Sequence, residues 1–310
     1  MSGLSVNTGH EGYLGHGNGS PVLPGVVGIP PDLAMPPDRT SWTELQLPPF
    51  STVATKALQL VSANAPLRRL ADLISTDPAF STEILTLINS PLYAFSQTIH
   101  SIQQAIALLG LERIKRLVVR VGFRAYLGPG LRKPALQGCW LHSLACAMIA
   151  EELAEFSSMD RGAAYTGGVL HDIGRVALAV TQPEQYECFS EEIQEDQPAA
   201  LRRERECFGV DHCEAGRRLS QEWNLPGEFA DLVSRHHSKQ GSRQFDMLTL
   251  IRCACMMATS VGFAAVHLYT PPTYEELVSE LPEKIRSHFQ LDPKYLISRI
   301  DEKISSIAFQ

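Results

Sequence analysis

No stretch of this 310-residue chain carries the roughly 18 consecutive apolar residues that a membrane-spanning helix requires. The N-terminus has neither the basic start nor the apolar run of a signal peptide, so a cytoplasmic location is expected. Cysteine pairs with metal-ribbon spacing are missing. The seven cysteines, at 139, 146, 188, 207, 213, 253 and 255, are odd in number and include no Cys-x-x-Cys. That pattern argues against a zinc ribbon or finger and favours reduced thiols over a disulfide framework. Alternating runs of strand length are absent as well, which leaves an all-α reading. Positive charge is not in excess: 27 Lys and Arg stand against 34 Asp and Glu, a net charge of −7. No broad nucleic-acid surface is expected from that balance.

What the chain does have is a 44% hydrophobic share, enough for a sizeable core. Residues 1–40 are rich in Gly, Pro, Ser and Asn without an apolar period, and read as a disordered tail. From Trp42 onward apolar residues recur at helical spacing. The expected organisation is an N-terminal helical subdomain over 43–130, a second helical subdomain over 131–268, and C-terminal helices over 270–310.

Helix starts are signalled locally. Asp77-Pro78 offers a cap and a proline at the first helical position. Ser101-Ile-Gln-Gln104, Asp211-His-Cys-Glu214 and Thr273-Tyr-Glu-Glu276 read as capping boxes. Gly110 closes one helix before the next runs to about Tyr126. Arg113, Lys115, Arg116, Arg120 and Arg124 fall on one side of that helix and read as its solvated face. Residues 182–200 read as an amphipathic helix (Tyr186, Phe189, Ile193) followed by an acidic turn. Met247 to Phe263 reads as a strongly apolar helix.

The chemistry-bearing residues are six: His142, His171, Asp172, His212, His236 and His237, spread over four expected helices. His171 and Asp172 are adjacent inside an apolar run with Gly167, Gly168 and Gly174, so Asp172 is a buried carboxylate that needs partners. His142 and His236 fall on otherwise apolar stripes. Neutral imidazole and carboxylate are the ligands that zinc, iron or manganese sites use in helical bundle cores. Taken singly, each histidine is more often a hydrogen-bonded core residue. His212, beside the cap Asp211, reads equally as a solvated helix end.

His142 followed by Leu170-His-Asp-Ile-Gly174 resembles the metal-dependent HD phosphohydrolase superfamily. Phe208-Gly-Val-Asp-His212, Trp223-Asn-Leu-Pro226, His236-His237, Ile74-Ser-Thr-Asp-Pro78, Asn89-Ser90 and Ser101 to Gly110 narrow the resemblance to the HDOD domain, over residues 43–265. The resemblance implies a multi-helix HD-like bundle in a bacterial signalling output module. Its implied partners are a signalling protein or a nucleotide second messenger, with no membrane, and its implied cofactor is a divalent metal (zinc, iron or manganese). It also implies a last aspartate ligand on the Met247 helix, where Cys255 stands instead. No Asp or Glu occurs between Asp246 and Glu275, and no Gly-Tyr-Pro follows His237. The metal set carried over is therefore His142, His171, Asp172, His212, His236, His237 and Cys255, with Arg175 and Arg235 as phosphate contacts. The expected function is a non-catalytic output module that binds a protein or nucleotide partner; the alternative is a metal-dependent phosphohydrolase. No receiver, GGDEF-type or EAL-type segment is recognisable, so input is expected in trans or through residues 1–40 and 270–310.

Overall fold

The structure, a computed structural model, describes residues 52–308 apart from 64, 91–92, 94, 129–131, 239–243 and 290–291. The expected tail over 1–40 lies outside the described residues. Among those described, helices account for nearly all the regular structure.

The first four helices are α1 (Thr52–Ser62), α2 (Leu67–Ser75), α3 (Pro78–Ile88) and α4 (Ile102–Leu127). Asp77 caps α3 by accepting from the Phe80 N–H at 3.0 Å, and Pro78 follows it. Ser101 caps α4 by accepting from the Gln104 N–H, but the Gln104 side chain reaches back to the His100 N–H instead of closing a box. α4 bends at Gly110, whose φ of 75° ends one helical stretch and starts the next. The basic side of α4 is only partly a solvated face, with Arg113 exposed and Arg116 and Arg124 half-buried. Lys115 and Arg120 are buried, Lys115 pairs with Glu112, and Arg116 pairs with Glu151.

The central helix is α5 (Pro134–Glu155), against which α6 (Arg161–Leu170), α7 (Ile173–Thr181) and α12 (Met247–Ser260) pack. Its apolar residues, from Leu144 through Ala147 and Ile149 to Leu153, are fully buried. Glycine makes the closest approaches. A Cβ on Gly168 would overlap the Ala147 backbone, and one on Gly174 would overlap the His212 carbonyl.

The segment over 182–200 departs from its reading. α8 (Pro183–Glu191) stops early, Ile193–Gln194 form a short strand β1, and a separate helix α9 (Gln197–Phe208) follows. Ile193 is 68% exposed rather than buried on a helix face. β1 pairs in parallel with β2 (His267–Leu268), a partner some seventy positions away that local periodicity could not announce. α10 (His212–Glu222) is capped by Asp211, but Glu214 turns outward to Arg217 and Arg218 and leaves the box open. α11 (Gly227–Arg235) then leads into α12. The C-terminal part holds α13 (Tyr274–Glu280), with its capping box complete, then α14 (Glu283–Arg286) and α15 (Pro293–Ala308). Arg299 ties α15 to Glu152 on α5 at 2.7 Å. No described helix is long and apolar enough to cross a membrane.

A candidate metal centre around Asp172

α6 ends at His171 and α7 begins at Ile173, so the His-Asp pair occupies the joint between two helices rather than one helix end. Asp172 stands at the N-cap position of α7 without making a side-chain cap bond, which leaves its carboxylate free to face the core. Four imidazoles surround it. His142 Nε2 lies 3.6 Å and His171 Nε2 3.8 Å from Oδ2. His236 Nε2 lies 3.2 Å and His212 Nε2 3.4 Å from Oδ1. None of these five residues is more than 2% exposed.

The other ring nitrogen of each histidine fixes its tautomer. A backbone carbonyl only accepts, so His142 Nδ1–H donates to Phe263 O at 2.6 Å and His171 Nδ1–H to Gly168 O at 2.8 Å. His236 Nδ1–H likewise donates to Val233 O at 3.0 Å. His212 Nδ1 meets a carboxylate instead, Glu204 Oε2 at 2.6 Å. The three carbonyl-bound rings therefore aim bare Nε2 lone pairs at a carboxylate, acceptor against acceptor. Histidines oriented from behind by carbonyls and carboxylates, with the free nitrogen converging, are what a cation between them requires.

Two ligand groups share this space. His142, His171 and Cys255 bring their donor atoms together on the Oδ2 side, while Asp172, His212, His236 and His237 do so on the Oδ1 side. Cys255 Sγ is 3.6 Å from His142 Nε2. A tetrahedral ion with Zn–S of about 2.3 Å and Zn–N of about 2.05 Å separates two such ligands by about 3.6 Å, so this edge is already set. His171 Nε2 is buried with no hydrogen-bond partner, and so is His237 Nε2. The cluster is able to hold a metal, and the donor set fits one.

Arg175 and Glu204 complete the core. Arg175 Nε lies 3.1 Å from Asp172 Oδ2, and its Nη1 lies 3.0 Å from Glu204 Oε1. Arg175 is 1% exposed, so it is a structural counter-ion here rather than a residue presented to a phosphate. Arg235 is exposed and pairs with Asp231 one turn back, away from the cluster. Glu204 was not among the expected residues; in Leu201-Arg-Arg-Glu-Arg-Glu206 it stands among charged neighbours. One signal was present: Ala200, Glu204 and Phe208 are spaced by four, and Glu204 shares the buried stripe of α9 with both.

The charges follow from these contacts. Burial alone would raise the Asp172 carboxyl, but the Arg175 guanidinium and the surrounding imidazoles hold it well below the usual range. Burial pushes His171 down to about 3, so it is neutral. For His212, burial and Arg175 oppose protonation, yet Cys213, Glu204 and Asp172 outweigh them and lift it to about 10. Burial, then the Asp172 charge, push the Cys255 thiol far up. One side of the cluster approaches solvent. His237 lines an open cavity of about 300 Å³ together with Arg205, Asp211, Cys213 and Arg217.

A helical bundle built around a histidine, a His-Asp pair and further converging histidines defines an HD-type protein. The chain belongs to the HDOD domain family, whose sequence model matches residues 47–239. Solved structures agree on the fold. An HDOD domain protein of unknown function from Geobacter sulfurreducens has 23% identity and a TM-score of 0.63, covering 84% of this chain and 91% of that one. A provisionally named signal transduction protein from Marinobacter aquaeolei has 18% identity and a TM-score of 0.63, covering 85% and 59%. A provisionally named metal-dependent phosphohydrolase from Shewanella amazonensis has 18% identity and a TM-score of 0.55, covering 83% and 93%. The chain spans 37% and 14% of the length of the two curated relatives it matches, from Treponema pallidum and Bacillus subtilis, both uncharacterised.

Proposed function

We propose that this chain is a signal-transduction output module that acts by binding a protein partner or a nucleotide ligand, without phosphodiester turnover. In this reading any metal in its HD core is zinc in a structural role. The observation that carries the reading is the enclosure of Asp172. Its carboxylate is sealed among four buried imidazoles, and Arg175 sits against it while pairing with Glu204 behind. On the Oδ2 side the neighbouring His142, His171, Arg175 and Cys255 are each no more than 2% exposed. The name of the Marinobacter relative points the same way.

The residues that would hold the ion are His142, His171, Asp172 and Cys255. Cys255 would hold zinc as the thiolate, its proton released to solvent, and the four ligands would tie together α5, the α6–α7 joint and α12. A set of two imidazoles, one thiolate and one carboxylate suits zinc better than magnesium or manganese, which favour oxygen. His212 and His236 then act on the other carboxylate oxygen, where Glu204 holds His212 in place.

One observation favours the alternative of a metal-dependent phosphohydrolase. The second group, Asp172, His212, His236 and His237, is made of nitrogen and oxygen ligands alone, and His237 borders the 300 Å³ cavity. The test is to load the purified chain with manganese or iron and assay cyclic dinucleotides and simple phosphomonoesters. The proposal predicts no turnover above background. Turnover that disappears in Asp172→Ala would establish the hydrolase instead.

A further inference from the structure

The α3–α4 face carries a second, unrelated site. A cavity of about 140 Å³ is lined by Thr82, Glu83, Thr86 and Leu87 of α3, Arg120, Val121 and Arg124 of α4, and Trp140 of α5. Arg120 is 5% exposed, and its Nη2 is buried with no hydrogen-bond partner. The side chains that act on Arg120 are the neutral phenols of Tyr165 and Tyr93, the second also through a hydrogen bond, and the like-charged Arg124. Among the described residues no carboxylate forms an ion pair with Arg120 or with Arg124. A buried cation without a counter-ion is costly and is normally paired or bound to a ligand.

We propose that this cavity binds the phosphoryl group of a small phosphorylated molecule, with Arg120 and Arg124 as its counter-ions. Two guanidiniums on one cavity match a dianion rather than a single carboxylate, and a guanidinium fork matches phosphate oxygens in pairs. A cavity of about 140 Å³ has room for a small ligand group rather than a single water. Thr86 has no hydrogen-bond partner among the described residues and supplies a hydroxyl, whereas the Thr82 hydroxyl already donates to Pro78 O at 2.7 Å. Glu83 is exposed on the rim, where water screens its charge. Leu87, Val121 and Trp140 give the cavity an apolar floor for the rest of the ligand. The site is separate from the Asp172 core, so it stands whether or not that core is catalytic.

The test is calorimetric titration of the full chain with inorganic phosphate and with a nucleoside monophosphate, at constant ionic strength, with acetate as the control anion. The expected result is one saturable site for phosphate, none for acetate, and a dissociation constant raised at least about tenfold in Arg120→Met. Arg124→Gln, at a half-buried residue, should raise it about three- to tenfold. Arg235→Ala, exposed and outside both sites, should leave it unchanged. Tighter binding of the nucleoside monophosphate than of phosphate would extend the site to a nucleotide, and equal binding would confine it to the phosphoryl group. No saturable phosphate binding by the wild type overturns the proposal, as does binding that Arg124→Gln and Thr86→Val both leave unaltered.

Discussion

The Asp172 core and the α3–α4 cavity each bury an arginine, and the fold treats the two in opposite ways. Arg175 is fully enclosed and lies between two carboxylates, Asp172 at 3.1 Å and Glu204 at 3.0 Å. Arg120 is almost as deeply buried, yet it faces a cavity and meets two neutral phenols, Tyr165 and Tyr93, in place of a carboxylate. A compensated charge in a closed core holds structure together. An uncompensated charge at the wall of a cavity is what an anionic ligand would complete. Burial alone does not separate the two; the partner does.

The largest effect should come from breaking the compensated side. Arg175→Met leaves Asp172 and Glu204 as buried carboxylates without their cation, and should cost about 3–5 kcal/mol in denaturant unfolding. A loss under about 1 kcal/mol would mean that Arg175 is not the counter-ion it looks to be. Gly174→Ala comes next. A methyl group there meets the His212 carbonyl, and backbone cannot retract as a flexible side chain can, so about 1–3 kcal/mol should be lost.

Metal affinity sharpens the same comparison through pH. The Cys255 thiol, lifted mainly by burial, must lose its proton to ligate, whereas His171 is already neutral with its folded value near 3. Zinc affinity in competition with a chromophoric chelator should therefore rise with pH. The expected slope is about tenfold per unit, or about 1.4 kcal/mol, below the thiol's own titration. A flat profile would remove Cys255 from the ligand set. Arg120→Met should behave unlike Arg175→Met. With no carboxylate to orphan, it should leave stability within about 1 kcal/mol of wild type or raise it, as measured by the same unfolding titration. Smallest of all is Arg235→Ala. Its pair with Asp231 lies in water, and no more than about 0.5 kcal/mol should be lost.

Much of this was legible in the sequence where local chemistry decides. The Asp77-Pro78 start and the Thr273–Glu276 box need only neighbouring residues, and both occur as read. His142 and His236 announced themselves by lying on apolar stripes. What local reading missed depends on distant partners. Glu204 is buried because Arg175 and His212 wait for it on other helices, and its charged neighbours hide the four-residue stripe. Arg120 shares one side of its helix with Arg113, Arg116 and Arg124, opposite an apolar side, and that pattern reads as solvated, yet Arg120 is 5% exposed. Ile193 left its helix to pair with His267, which no period near 193 could signal.

The central claim is that the HD core is a sealed, thiolate-liganded centre, and one spectrum tests it most directly. The metal-free chain, titrated with cobalt(II), should show a thiolate-to-cobalt charge-transfer band in the near ultraviolet and tetrahedral bands in the visible. Both should saturate at one ion per chain, and the charge-transfer band should vanish in Cys255→Ser. Cobalt binding without that band, unchanged by Cys255→Ser and lost in His237→Ala, would place the ion on the open side of Asp172 and contradict the account.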